Sequence, residues 1–88
     1  MLLPPKFRII LFLMDHESDF VYSSMIARGI GMITQTYIFP YIANLRDTGL
    51  LNVEKIGRTN KVTLTEKGKD IAHHIKAVKE VFYNENDS

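Results

Sequence analysis

The stretch VEKIGRTNKVTLTEKG, residues 53–68, restricts the fold more than any other part of the chain. Val62 and Leu64 lie on one side of a period-two run, with Lys61, Thr63 and Thr65 on the other, which is the pattern of a half-buried strand. Gly57 supplies the positive φ that a tight connection needs, and Asn60 tolerates the same conformation. Residues 56–61 therefore read as the tip of a β-hairpin. That tip carries Lys55, Arg58 and Lys61 into solvent, with Thr59 and Asn60 between them. Glu66 then opens a helix directly after the second strand.

This last helix is expected to run from Glu66 to Tyr83, and residues 84–88 form a polar, frayed tail. Ile71, Ile75, Val78 and Phe82 follow at steps of four, three and four, a heptad-like seam. At the other end, the prolines of PPKFRIILFLMDH suit the first positions of a helix over residues 5–16. From Phe7 to Met14 only Arg8 is polar, so this helix needs cover on more than one side. A second subunit would supply it, with Ile10 and Met14 joining Ile71, Ile75, Val78 and Phe82 in a dimer interface. Between the terminal helices, FVY reads as a short strand that extends the hairpin. Ser23 or Ser24 caps a second helix, in which Ile26, Ala27 and Ile30 share a face and which Gly31 closes. Gly29 costs that helix on the order of 1 kcal/mol against alanine unless close packing demands it. A third helix starts at Thr34 or Thr36 and runs to Thr48, turning Ile38, Ile42 and Leu45 inward. The order is helix, strand, helix, helix, strand, strand, helix in one domain spanning residues 1–88.

At 88 residues, 45% hydrophobic and 24% charged, the chain has material for one small core, and a domain of this size gains from a partner subunit. The absence of cysteine excludes disulfide and thiolate chemistry. Residues 9–14 form the longest apolar run, far too short for a membrane span or a signal peptide, and the chain reads as cytoplasmic. Net charge is +1, but its distribution is uneven. Lys55, Arg58, Lys61, Lys67, Lys69, Lys76 and Lys79 outnumber Glu54, Glu66 and Asp70 across the hairpin and last helix, whereas acidic residues dominate elsewhere. This is the footprint expected for a phosphate-bearing partner, and equally for a solvated face. No nucleophile with a base, glycine-rich phosphate loop or pair of carboxylates in an apolar setting is present, so no enzymatic activity and no cofactor is expected. Asp15, Glu17 and Asp19 cluster in one polar turn, and His16 reads as a surface residue. His73 and His74 point about 100° apart on a helix and do not converge on a metal.

The segment SSMIARGIGM, followed by TQTYIFPYIANLRDTGLLNVEKIGRTNKVTLTEKGKDIA, resembles the DNA-binding domain of MarR-type and PadR-type transcriptional regulators over residues 20–72. In these an IA…G helix leads to a recognition helix ending L-x-x-x-G-L, then to a wing with GR before LTEKG. The resemblance implies a winged helix-turn-helix, mainly α with a small β-hairpin, dimerised through its terminal helices. It also implies sequence-specific binding to double-stranded DNA as a homodimeric transcriptional regulator, most often a repressor. On that pattern Thr34, Gln35, Thr36, Tyr37, Phe39, Tyr41 and Asn44 form the exposed face of the recognition helix. Gln35 pairs with adenine and Thr36 touches a thymine methyl group or a phosphate. In the wing, Arg58 enters the groove and Lys55 and Lys61 hold phosphates.

Two features depart from that pattern. The turn between Gly31 and Thr34 is one residue longer, and Pro40 falls inside the expected recognition helix. A proline costs about 3 kcal/mol in a helix interior, so the helix either starts late or kinks. Moreover, residues 33–45 contain no Lys or Arg, while Tyr37, Phe39 and Tyr41 crowd together. That composition supports an alternative, a winged-helix module that binds a protein in a transcription or replication assembly through the aromatic face.

Overall fold

Two prolines set the first helix. In the computed structural model, which describes residues 4–17, 21–31 and 37–83, helix α1 runs Pro5–Asp15. The Pro4 carbonyl accepts from the N–H groups of Phe7 (3.0 Å) and Arg8 (3.1 Å). The helix stops one residue before the expected end because His16 takes the C-cap position. The His16 N–H reaches the carbonyls of Phe12 and Leu13, and its ring stacks on Phe12 with centroids 4.1 Å apart. His16 is thus half-buried against the end of its own helix rather than a plain surface residue.

The remaining elements surround α1. They are α2 (Ser23–Gly29), α3 (Phe39–Asp47), strands β1 (Leu51–Ile56) and β2 (Thr59–Leu64), and α4 (Glu66–Tyr83). Helix α1 touches α2, α3, β2 and α4, which accounts for most of its apolar surface, while Phe7 remains 41% exposed. Ile9, Ile10 and Leu13 are buried, and Leu11, Phe12 and Met14 pack against the same core. Within the chain itself, the residues expected at a dimer interface divide into buried and exposed ones. Ile10 is 1% exposed and Ile75 8% exposed, so both belong to the chain's own core, and Ile71 and Met14 pack against it.

The sheet is a two-stranded antiparallel hairpin, with Leu51 opposite Leu64 and Val53 opposite Val62 on its inner side. The expected third strand reduces, among the described residues, to one bridge between Tyr22 and Lys61, beside which the Val62 N–H donates to the Val21 carbonyl (2.9 Å). Helix α2 begins at Ser23, leaving no length for a ladder. Phe20 lies outside the described residues. The cap of α2 is likewise displaced from the expected serines. Tyr22 holds that position in extended conformation, and Ser23 is buried within the first turn. Gly31, at φ +80°, follows the helix as expected. Gly29 has the close packing that its presence in a helix required, since a Cβ there would overlap the ring of Phe12.

Helix α3 starts late. Its first residue is Phe39, so Pro40 sits in the first turn, where an absent N–H removes no intrahelical bond and the fixed φ suits the helix. Its end is a complete Schellman motif: Leu50 N–H donates to Leu45 (2.9 Å) and Gly49 N–H to Arg46 (3.0 Å), with Gly49 at φ +84°. The LTEKG sequence ties this turn to α4. Thr65 accepts the Gly68 N–H on its Oγ1 (3.0 Å), an N-cap for α4, while its hydroxyl donates to the Gly49 carbonyl (2.7 Å). Its own N–H donates to Leu50 (3.1 Å). Gly68 lies against that same Leu50 carbonyl so closely that no side chain fits between them.

Candidate nucleic-acid interface

The hairpin closes more tightly than the sequence suggested. Strands pair up to Ile56 and Thr59, leaving Gly57 and Arg58 as a two-residue turn. Gly57 has φ +60°, and no non-glycine residue among the described ones has positive φ, which is the type II′ arrangement that matches the twist of the flanking strands. Thr59 Oγ1 donates to the Ile56 carbonyl (2.9 Å) across the turn. Thr59, Asn60 and Lys61 are therefore ladder residues rather than tip residues, paired with Ile56, Lys55 and Glu54. Lys61 is half-buried with Glu54 as its cross-strand partner, whereas Lys55 and Arg58 are exposed. By strand alternation Lys55 and Asn60 continue the face that carries Val53 and Val62, so this face changes from apolar to polar as it leaves the core.

Ile38, the N-cap of α3, and Ile42 and Leu45 within it are buried, with exposures of 0%, 6% and 3%. Tyr41, expected on the outer face, is half-buried and packs against the core. It follows Pro40 in the first turn of the shortened helix, one position before Ile42. Asn44 is exposed, and its Oδ1 accepts from Lys6 Nζ (2.9 Å). Ahead of and at the start of the helix, Tyr37 and Phe39 are 58% and 42% exposed. Thr34, Gln35 and Thr36 lie outside the described residues. Lys6 had no signal in the sequence, because its relation to α3 arises only from the packing of α1 on α3.

Other charges are committed locally. Lys69 Nζ lies between the carboxylates of Glu17 (3.1 Å) and Glu66 (3.4 Å), and hydrogen bonds to the two, Glu17 foremost, raise its pKa above the ordinary lysine value. This pair borders a cleft of about 210 Å³ lined by Leu13, His16, Val62 and Leu64 among others. Arg46 pairs with the neighbouring Asp47 (3.2 Å). Arg8 Nη1 donates to the Ile30 carbonyl (2.9 Å), tying α1 to the end of α2. Among the described residues no three potential metal ligands come together, and no helix is long and apolar enough to cross a membrane. At the far end of α4, Val78, Val81 and Phe82 are 53%, 75% and 75% exposed, so two residues of the expected dimer seam, with Val81 added, face outward.

The architecture has close counterparts among solved structures. The chain matches AF1382 from Archaeoglobus fulgidus with a TM-score of 0.84 at 24% identity, over 92% of this chain and 90% of that one. It matches MepR, a transcription regulator of the Staphylococcus aureus multidrug efflux pump MepA, with a TM-score of 0.81 at 15% identity, over 94% and 62% of the two chains. The S. aureus MepR–DNA complex gives 0.83 at 16% identity, over 90% and 58%. The chain thus spans about three fifths of MepR's length, and at these identities the likeness is one of fold. No curated protein matches it in sequence. The profile of the DUF6293 C-terminal winged helix domain matches residues 5–76, from the start of α1 into α4. With helices, hairpin and turn in the order that a winged helix requires, the chain belongs to the family of the DUF6293 C-terminal winged helix domain.

Proposed function

We propose that this winged helix domain binds double-stranded DNA and acts as a homodimeric transcriptional regulator that represses by occupying promoter DNA. The observation that carries this reading is the wing itself. A two-residue turn holds Arg58 at the tip, with Lys55 exposed two positions before Gly57. Beside the hairpin, α3 carries no acidic residue before Asp47. A helix for the major groove and a cationic hairpin for the backbone or minor groove is the division of labour such a fold uses. The occurrence of the same fold in a DNA complex of S. aureus MepR supports it. Gln35 and Thr36 are the proposed base readers, and the outer end of α4 is the proposed dimer surface.

The test is binding to random-sequence duplex DNA across a salt series, with the mass in solution determined in the same buffer. If Lys55 and Arg58 of each protomer neutralise one phosphate apiece, these four contacts contribute about −4 to the log–log salt slope of a dimer. Arg58→Ala should reduce that magnitude by about 1 per protomer. A salt-independent affinity removes the wing from the mechanism. The exposure of Tyr37 and Phe39 favours a second reading, a protein-binding module. It predicts no DNA binding even at low salt.

A further inference from the structure

Lys6 on α1 and Asn44 on α3 are 38 positions apart, and their side chains meet at 2.9 Å between Nζ and Oδ1. An ammonium group has only donors, so the amide atom that faces it must be the carbonyl oxygen. The Asn44 NH₂ is thereby turned away from Lys6, and both residues are exposed. What the pair offers to solvent is mainly donors, the remaining ammonium protons and the amide NH₂, with a positive charge behind them and the amide oxygen already engaged by Lys6. Such a pair suits an anionic oxygen. It is less suited to adenine, whose two-bond recognition by asparagine needs the amide oxygen that Lys6 already occupies in part.

We propose that the Lys6–Asn44 pair clamps one phosphate of the DNA backbone beside α3, making Asn44 a positioning residue on the backbone rather than a base reader. This rests on the DNA-binding reading above. Its position in the helix agrees. Asn44 is five residues beyond Phe39, about 7.5 Å along the axis, whereas helix-turn-helix proteins read bases from the start of the recognition helix and cross the backbone with a preceding one. The clamp also supplies positive charge along the part of α3 before Arg46, since residues 33–45 contain no Lys or Arg and Arg46 is paired with Asp47.

The test uses the full chain, as Lys6→Met, which keeps the apolar stem, and Asn44→Asp, which replaces the outward donor with an acceptor while retaining the contact with Lys6. Each is titrated against a random-sequence duplex and a duplex that the unsubstituted chain selects from a random library, over a salt series. The clamp predicts that Lys6→Met weakens both duplexes by the same factor, about five- to tenfold at moderate salt, and lowers the slope magnitude by about 1 per protomer. Asn44→Asp weakens both duplexes at least as much, with base preferences unchanged. Unaltered affinity and slope in Lys6→Met overturn the clamp. So does a change of preference at one base pair with the slope intact, which assigns the pair to a base edge. If the unsubstituted chain binds neither duplex at low salt, the DNA-binding reading fails and the clamp with it. Wild-type binding with an indifferent Lys6→Met removes the clamp alone. Both side chains lie at the surface, so the thermal unfolding of each variant should match that of the unsubstituted chain.

Discussion

Gly29 shows how a single residue acquires a meaning that propensity does not contain. Alanine is ordinarily the better helix former by about 1 kcal/mol. Here its methyl group would overlap the Phe12 ring, which is also stacked on His16. Gly29→Ala should therefore destabilise the domain, by about 1–3 kcal/mol as an overpacking change, and Phe12→Leu should recover part of that loss in the double variant. Chemical denaturation of the four species checks both statements. A more stable Gly29→Ala would place the ring elsewhere. Arg58 represents the opposite case. Its role as the outermost cation follows from Gly57 directly before it and was legible in the sequence, whereas Lys61 was placed at the tip with it. The turn needs only two residues, and each residue returned to the ladder restores a backbone pair. Lys61 therefore ends in the ladder, in register with Glu54.

At the scale of elements, Thr65 connects three of them. Its side chain caps α4 and its hydroxyl holds the turn between α3 and β1 through the Gly49 carbonyl. Thr65→Ala should cost about 1–2 kcal/mol, the sum expected for a lost cap and a lost hydrogen bond, and should be seen as a lower denaturation midpoint at unchanged slope. Because the same turn sets the base of the wing against α3, the variant should also bind DNA more weakly than its folded fraction accounts for. Equal loss of both would make Thr65 a stabilising residue only. Helix α3 is the element whose boundary the sequence misplaced. Threonines at 34 and 36 are good caps, but Pro40 is tolerated only in a first turn, and the helix begins at Phe39 accordingly. This late start also accounts for Tyr41, which falls in the first turn and packs inward instead of joining the outer face.

For the whole molecule, the central question is which apolar surface remains after the core is complete. Helix α1 packs against four elements of its own chain, and the inner half of α4 joins the same core with Ala72 and Ile75. The outer half leaves Val78, Val81 and Phe82 exposed. If this end is the dimer surface, Phe82→Lys should weaken self-association by at least about tenfold, as expected for removing a large apolar anchor, without lowering monomer stability. Sedimentation over a concentration series measures it. DNA binding should fall in parallel, because a dimer engages two half-sites with one linked binding event. Association unchanged in that variant would move the interface away from α4.

The local chemistry of the chain determined the hairpin, the glycine at its turn, the proline-led first helix, the inward face of α3 and the overall winged helix order. Each of these depends on residues within one or two turns of each other, where periodicity and backbone preference dominate. Tertiary structure decided the rest. It assigned Ile10 and Ile75 to the core, gave the described Val21 and Tyr22 a single bridge to the hairpin, placed Gly29 against Phe12 and brought Lys6 to Asn44. These outcomes depend on how elements distant in sequence share a small interior, and a one-dimensional pattern carries no information on which apolar face another element will cover.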